Sequence, residues 1–387
     1  MHAPMTFAQL RDFYIDHLTR QVMPFWLKHC VDWEHGGINN CVADDGTLLS
    51  TDKVMWSQGR ALWTFSALYN EFDGDRAWLR VADNIARFVM THGRDAQGGW
   101  LFRVSQRGEV VEPAKSIYVD GFVTYGLTEY ARATGDAHAL ALAVETYRRT
   151  SPLLRDHSTL PTAPLPIPPG LQAHGPSMIF ALVYHELGRL TGNREILNRA
   201  LELAEVVMTQ HLKPEHQVLF EFVRPGGALA DGDAGKTFVP GHAIESMWFM
   251  ERIYRFHGRE DRVAQAMQAI RWHLEKGWDH EFGGIFLARH TEGGPPAWLL
   301  PDHKPWWVAT EALYALLRAY EVTGQPWCLD WYWKVHHDTF RKYPNPEHGD
   351  WHQTLDRRGR VVGPLYRNMA VKDPFHLPRA LIYSIQT

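Results

Sequence analysis

The sequence predicts an all-α fold, an (α/α)6 barrel of about twelve helices in six antiparallel pairs, on three observations. A turn-rich phrase recurs at near-constant spacing, two apolar stretches of helical period lie between most successive copies, and a short glycine-marked break separates the members of each pair. The copies are DWEHGGINNCVADDG at 32–46, GRDAQGGWLFRVSQRG at 93–108, KPEHQVLFEFVRPGG at 213–227, DHEFGGIFLARHTEGG at 279–294 and NPEHGDWHQTLDRRG at 345–359. Each reads as a short β-hairpin between two turns. The markers Gly36, Gly98, Val218, Gly283 and Gly349 are 62, 120, 65 and 66 residues apart, and 387 residues divide into six units of 64.5. The double interval places a further copy near 158, where Pro161, Pro164, Pro166, Pro168 and Pro169 make a stiff loop instead of a regular hairpin.

Taken in chain order, the first helical segment is 6–29. Paired segments follow at 54–72 and 76–92, 116–134 and 137–150, 176–191 and 194–211, 242–257 and 260–276, and 306–323 and 326–342, with 374–386 last. The breaks FDGD, ATGD, LTGN, FHGR and VTGQ put glycine where a helix end needs a left-handed residue. Without polar capping repeats, an open helical array would expose apolar ends, so the pairs are expected to close into one toroidal domain spanning 1–387. The inner helices then begin where the long loops end, and the loops collect at one mouth.

Composition narrows the function. With 45% hydrophobic and 22% charged residues the chain can bury a large core, and 40 Lys plus Arg against 44 Asp plus Glu give a net charge of -4. That balance excludes nucleic acid and anionic membrane surfaces as partners. Apolar runs fall far short of a membrane span and MHAPMTFAQLRDFY has no signal-peptide core, so a cytoplasmic protein is expected. Cys30, Cys41 and Cys328 lack CxxC spacing, which argues against a disulfide framework or thiolate zinc site. The 16 Trp and 22 His are in excess; aromatic faces suit sugar rings and imidazoles suit proton transfer near neutral pH.

The candidate residues lie at the loop-to-helix joints. In KVMWSQGRALWTFSALYN, Arg60 sits in an apolar helix and needs either an acidic partner or a cavity with a hydroxylated or anionic ligand. In FVPGHAIESMWFM, His242 and Glu245 are three apart at a helix start, where a carboxylate can orient an imidazole; a capping histidine is the plainer reading. HKPWWVATEAL offers Trp306, Trp307 and Glu311, and PFHLPRAL offers His376 and Arg379. Two histidines from distant segments, each with a carboxylate or arginine nearby, suggest two bases on opposite faces of a planar intermediate, as inversion of a carbon stereocentre requires. No HExxH, GxSxG, P-loop or GxGxxG occurs, and no metal site is expected.

MWSQGRALWTFSALYN, VPGHAIESMWFM, KPWWVATEAL, PNPEHGDWHQTLDRRG and PFHLPRAL, in this order over nearly the whole chain, resemble the N-acylglucosamine 2-epimerase family. The resemblance implies an (α/α)6 barrel and sugar epimerisation or isomerisation without a redox cofactor. It also implies Arg60, His242, Glu245, Glu311, His376 and Arg379 as the site, with the two histidines as acid and base. Branches acting on free mannose or cellobiose carry Met-His-x-x-Glu-Ala on the sixth helix, whereas GPSMIFALVYHEL has Ile179 after Met178 and Ala181 rather than a glutamate. That looks more like the acylglucosamine branch, with His174 as a partial substitute for the missing histidine. Some members of that branch are activated by ATP, on which these residues are silent.

The expected activity is therefore 2-epimerisation of N-acetylglucosamine and N-acetylmannosamine, or of a related aldose, through an enediolate. Arg60 would stabilise the oxyanion, Glu245 orient His242, Glu311 bind hydroxyls, and Trp306 or Trp307 wall the pocket. The alternatives are a mannose–fructose ketol isomerase and, further off, an (α/α)6 glycoside hydrolase using Glu245 and Glu311. The partner is a free sugar, and a homodimer is the assembly to look for.

Overall fold

The computed structural model describes residues 5–363 and 371–387, so the first four residues of the N-terminal stretch read above lie outside it. Among the described residues, six helices form an inner ring: Met55–Leu68, Ile117–Thr134, His174–Thr191, Pro240–Phe256, Trp306–Thr323 and His376–Gln386. Six helical segments surround them. These are Phe7–Asp16, which runs through a π-helical turn into Met23–His29, then Arg76–His92, Ala137–Leu153, Arg194–Val206, Glu260–Gly277 and Pro326–Lys342. Each inner helix packs on the next and the sixth packs on the first. The expected (α/α)6 barrel is closed.

The two rings differ in patterning for a physical reason. Arg76–His92 buries Trp78, Val81, Ala82, Ile85, Phe88 and Val89 at helical spacing and keeps its charges outside, as a helix covered on one side must. Met55–Leu68 buries every residue from Ala61 to Leu68, because it is covered all round. Between the first two inner helices the contact is backbone to backbone. A Cβ on Gly126 would run into the Gly59 carbonyl, and one on Gly59 would lie 2.6 Å from the Phe122 carbonyl group. The breaks behave as expected: Gly74, Gly135, Gly192, Gly258 and Gly324 all adopt left-handed φ of 63–72°. Asp75, Asp136 and Asn193 then cap the next outer helices through their side chains.

The recurring phrases are only partly local hairpins. Cys41–Val42 pairs with Leu48–Ser50, Arg103–Val104 with Val110–Glu112, and Leu212–Lys213 with Val218–Leu219. The other pairings cross between repeats. Lys53–Val54 joins Arg103–Val104, Gln172–Ala173 joins Phe222–Val223, Thr237–Phe238 joins Arg289–His290, and Lys304–Pro305 joins Thr354–Leu355. In three of these, the dipeptide just before an inner helix is stitched to a later turn phrase. The proline-dense loop performs the same task with less, through a bridge from Ser116 to Thr162 and an Ile117 N–H bond to the Pro161 carbonyl at 2.7 Å. The ring is completed in the backbone by Lys372 N–H, which donates to Asn40 O at 2.8 Å.

A buried lysine clamp recurs with the repeats. Lys53 binds Asp32 at 2.8 Å, Lys304 binds Asp279 at 2.9 Å, and Lys372 binds Asp44 and Asp350 at 2.9 and 3.0 Å. Each lysine precedes an inner helix and is almost wholly buried, so its charge requires the aspartate. The clamps tie turn phrases to helix starts and thereby set the mouth. All three cysteines are buried free thiols, and no described helix is long and apolar enough to cross a membrane.

Candidate active site

At the mouth formed by the inner-helix N-termini lies a cavity of about 240 Å³. Arg60, His242, Glu245, Trp306, Trp307, His376 and Arg379 line it, although they come from four helices separated by more than 300 residues of chain. Glu311 and His174 stand behind that lining.

His376 opens the sixth inner helix, with its Nδ1 donating to Glu311 Oε1 at 2.7 Å. Glu311 does not bind sugar hydroxyls as expected, because it stands behind the lining with three of its four lone pairs taken: Oε1 also accepts from Arg379 Nη2 at 2.7 Å, and Oε2 from the Trp248 indole at 2.9 Å. Arg379 additionally donates to Glu245 Oε1, and its guanidinium lies 4.4 Å from the Phe375 ring centre. Burial opposes the charge on Arg379, but Glu311 and Glu245 hold it protonated. Burial drives His376 down to about 3; Glu245 opposes that, and Arg60 and Arg379 add to it. Because Arg379 balances Glu311, that carboxylate serves the neutral imidazole as an acceptor.

His242 is held differently. Its Nδ1 meets Glu221 Oε2 at 3.1 Å, and its ring stacks on Trp307 with centroids 5.1 Å apart. Burial lowers its pKa, but Glu221, with Glu245 as a lesser contributor, more than offsets this and leaves His242 above the ordinary imidazole value. Burial likewise disfavours the charge on Glu221, yet His242 and His174 pull its pKa well below the usual carboxylate range. The expectation that Glu245 orients His242 is corrected here. Residues three apart share a helix face, but Glu245 is drawn to Arg379, leaving Glu221 to hold the imidazole.

Glu221 was not anticipated from sequence. Strand geometry places it: Glu221 N–H donates to Thr237 O, and His174 N–H to Glu221 O, seating the carboxylate between the third and fourth inner helices. An acid inside the apolar run VLFEFV was the available signal. His174 is fully buried, with Nε2 on Ser246 Oγ at 2.8 Å and Nδ1 3.4 Å from Glu221 Oε2. It therefore supports Glu221 rather than touching the cavity, which corrects the expectation of a substrate contact.

Arg60 has both environments that its position demanded. Nη1 donates to Asp373 Oδ2 at 3.2 Å, Ser57 Oγ donates to the same oxygen at 3.1 Å, and the guanidinium lies 4.0 Å from the Phe122 ring centre while facing the cavity. Asp373, in the phrase just before the last helix, was also missed.

Two groups have the chemistry of metal ligands, His174–Glu221–His242 and Glu245–Glu311–His376, with ligand atoms within 4.8 Å in each. In the second, Arg379 already supplies positive charge to both carboxylates. In the first, His242 Nδ1 and His174 Nδ1 both face Glu221 Oε2, at 3.1 and 3.4 Å, and only the His242 contact is a hydrogen bond.

Two carboxylate-held imidazoles beside a guanidinium, at the mouth of an (α/α)6 barrel, fit a carbohydrate isomerase. A family model described as N-acylglucosamine 2-epimerase matches residues 36–376. The N-acylglucosamine 2-epimerase of Bos taurus is 30% identical over 370 residues, covering 93% of this chain and 87% of that protein. That of Homo sapiens is 29% identical, covering 93% and 86%. The structure of cellobiose 2-epimerase from Spirochaeta thermophila DSM 6192 superimposes with a TM-score of 0.84 at 22% identity, over 99% of this chain and 98% of that one. The chain belongs to the N-acylglucosamine 2-epimerase family and is a sugar 2-epimerase, an isomerase.

Proposed function

We propose that the protein interconverts N-acetylglucosamine and N-acetylmannosamine, or a close 2-acylamido relative, one of His376 and His242 removing the C2 proton and the other supplying a solvent-derived proton to the opposite face. The observation that carries this reading is the opposite bias of the two imidazoles: burial and two arginines keep His376 neutral, while Glu221 favours the protonated form of His242. With Nδ1 committed to a carboxylate in each, Nε2 is the nitrogen left for the substrate. On the open-chain sugar, neutral His376 takes the C2 proton, the C–H electron pair forms a C1–C2 double bond, and the carbonyl π pair moves onto the C1 oxygen to give a 2-acylamido enolate whose oxyanion lies at Arg60. His242 then protonates C2 from the other face. The reverse reaction uses the opposite protonation states, and both histidines re-equilibrate with solvent between turnovers.

Glycoside hydrolysis would need carboxylates about 5–9.5 Å apart astride the bond. Here Glu245 and Glu311 share one arginine nitrogen and Glu311 does not face the cavity, so that alternative has no support. The chemistry needs no redox cofactor. The same reading treats residues 1–387 as one catalytic domain working in the cytoplasm, with a homodimer as the assembly to test. Incubation with each sugar in deuterium oxide, followed by NMR, should show the C2 epimer carrying one deuterium at C2. A ketose product, or an epimer formed with full retention of the original proton, would refute the mechanism.

A further inference from the structure

Asp373 lines the cavity beside Arg60, and the C2 step leaves it without a task. Its segment is held from both sides: Lys372 N–H donates to Asn40 O at 2.8 Å, and Thr64 Oγ1 donates to the Pro374 carbonyl. The carboxylate is therefore placed by the backbone and not by its ion pair alone. Oδ2 accepts from Arg60 Nη1 and Ser57 Oγ, whereas Oδ1 is buried with no hydrogen-bond partner among the described residues, as is Arg60 Nε. The pair thus holds an unmet acceptor and an unmet donor, which is costly unless a substrate group satisfies them.

An aspartate at this place also works against the oxyanion. Arg60 is to receive negative charge on O1, and an ionised carboxylate sharing that guanidinium cancels part of its pull. A 2-acylamido aldose rests as a cyclic hemiacetal, however, in which O1 is a hydroxyl. A hydroxyl both donates and accepts, so it can accept from Arg60 and donate to Asp373 Oδ1 at once. The open-chain carbonyl only accepts, and it fits the same place only if the carboxylate has become the donor.

We infer that Asp373 is the base that opens the sugar ring, and that the enzyme interconverts sugar anomers at C1 as a second activity. This rests on the epimerase reading above and supplies the aldehyde which that reading consumes. Asp373 Oδ1 takes the O1 proton, the O–H electron pair forms the C1 carbonyl, and the C1–O5 bond breaks with its pair going to O5. O5 takes a proton from protonated His242, which solvent recharges. Asp373 is then a neutral acid: it donates to O1 as negative charge develops there, and it keeps the proton until ring closure returns it. Closure on either face of C1 gives either anomer.

Magnetisation-exchange NMR on N-acetylglucosamine should show the parent enzyme accelerating the interconversion of the α and β anomers above the buffer rate, at least as fast as it forms the C2 epimer. Asp373→Asn, which keeps the shape and removes the base, should lower both that exchange and kcat/KM for epimerisation about 100-fold. The comparison substrate is 2-acetamido-3-hydroxypropanal, an aldehyde too short to close a five- or six-membered ring. Its uptake of deuterium at C2 from deuterium oxide should change by less than about threefold in the same variant. Equal losses on both substrates would overturn the inference and leave Asp373 as a support for Arg60. So would unaltered anomer exchange in the variant, or a parent enzyme that leaves the anomers at their buffer rate. Absence of deuterium at C2 with both substrates would overturn the epimerase reading itself.

Discussion

The wall that carries His376 and the wall that carries His242 use the same local device with opposite results. In each, an imidazole on the first turns of an inner helix gives its Nδ1 to a buried glutamate. What differs is the third partner. Glu311 is shared with Arg379, so its charge is spent and burial leaves His376 neutral. Glu221 is shared with another imidazole, His174, and among the described residues no guanidinium is one of its ion-pair partners, so it draws a proton onto His242. A histidine–carboxylate contact therefore has no fixed meaning for protonation; the group on the far side of the carboxylate sets it.

The strongest way to break the comparison is to remove either imidazole. His376→Ala and His242→Ala should each lower net epimerisation about 10²- to 10⁴-fold, while each variant still exchanges the C2 proton of the sugar facing its remaining base. Near parental turnover in both would refute a two-base site. Arg379→Met tests the third-partner argument directly. It strips the shared counter-charge from Glu245 and Glu311, so it should cost about 3–5 kcal/mol of stability in denaturant titrations. It should also raise the His376 titration observed by NMR, making this wall resemble the other. Glu221→Gln should do the converse, dropping the His242 titration and reducing kcat about 100-fold with little change in stability. An unmoved His242 titration would show that Glu221 does not set it.

The smallest effect per group concerns pH. His376, His336 and His211 are lowered to about 3, and His17, His185 and His273 to about 4, by burial in every case. In the unfolded chain these groups take up protons as pH falls through about 6.5, whereas the folded protein resists until about 3–4. Stability should thus be highest above about 6.5 and decline as pH drops through that window, by about 1.4 kcal/mol per pH unit for each proton the folded state excludes. His242, with its raised pKa, acts in the opposite sense: its contribution is present below about 6.5 and fades as pH rises through its folded value. Denaturation midpoints from pH 8 to 4 would check the sign, and a midpoint that rises on acidification would refute it.

Much of this was legible in the sequence because period and glycine placement are local. The barrel, its six inner helices and Arg60, His242 and His376 at helix entries follow from spacing alone. The supports were not legible for a geometric reason. Glu221 reaches His242 through strand pairing, and Asp373 reaches Arg60 across 313 positions, so no helical offset connects them. The offset that was visible, Glu245 to His242, misled because a nearby guanidinium outcompetes an imidazole for a buried carboxylate. The histidine excess also had a second source. Apart from His242 and His376, imidazoles such as His273 serve in the core, where its Nε2 accepts from Leu219 N–H and its Nδ1 donates to Ala269 O.

The backbone bond from Lys372 to Asn40 has a consequence for how the molecule is made. These residues are 332 positions apart. At about 5–20 residues per second, roughly 17–66 s separate their synthesis. During that interval the first turn phrase has an unmatched carbonyl edge, and five inner helices stand as an arc with an apolar gap. Glu245 and Glu311 meanwhile wait for the arginine that neutralises them. A ribosome stalled between Glu311 and His376 thus holds a chain with most of the apolar surface of the enzyme, two acids still without Arg379 and no imidazole at position 376. Arg379 and the sixth inner helix complete the pocket in one late step, and until then the nascent arc carries the exposed apolar surface that makes incompletely folded chains prone to aggregate.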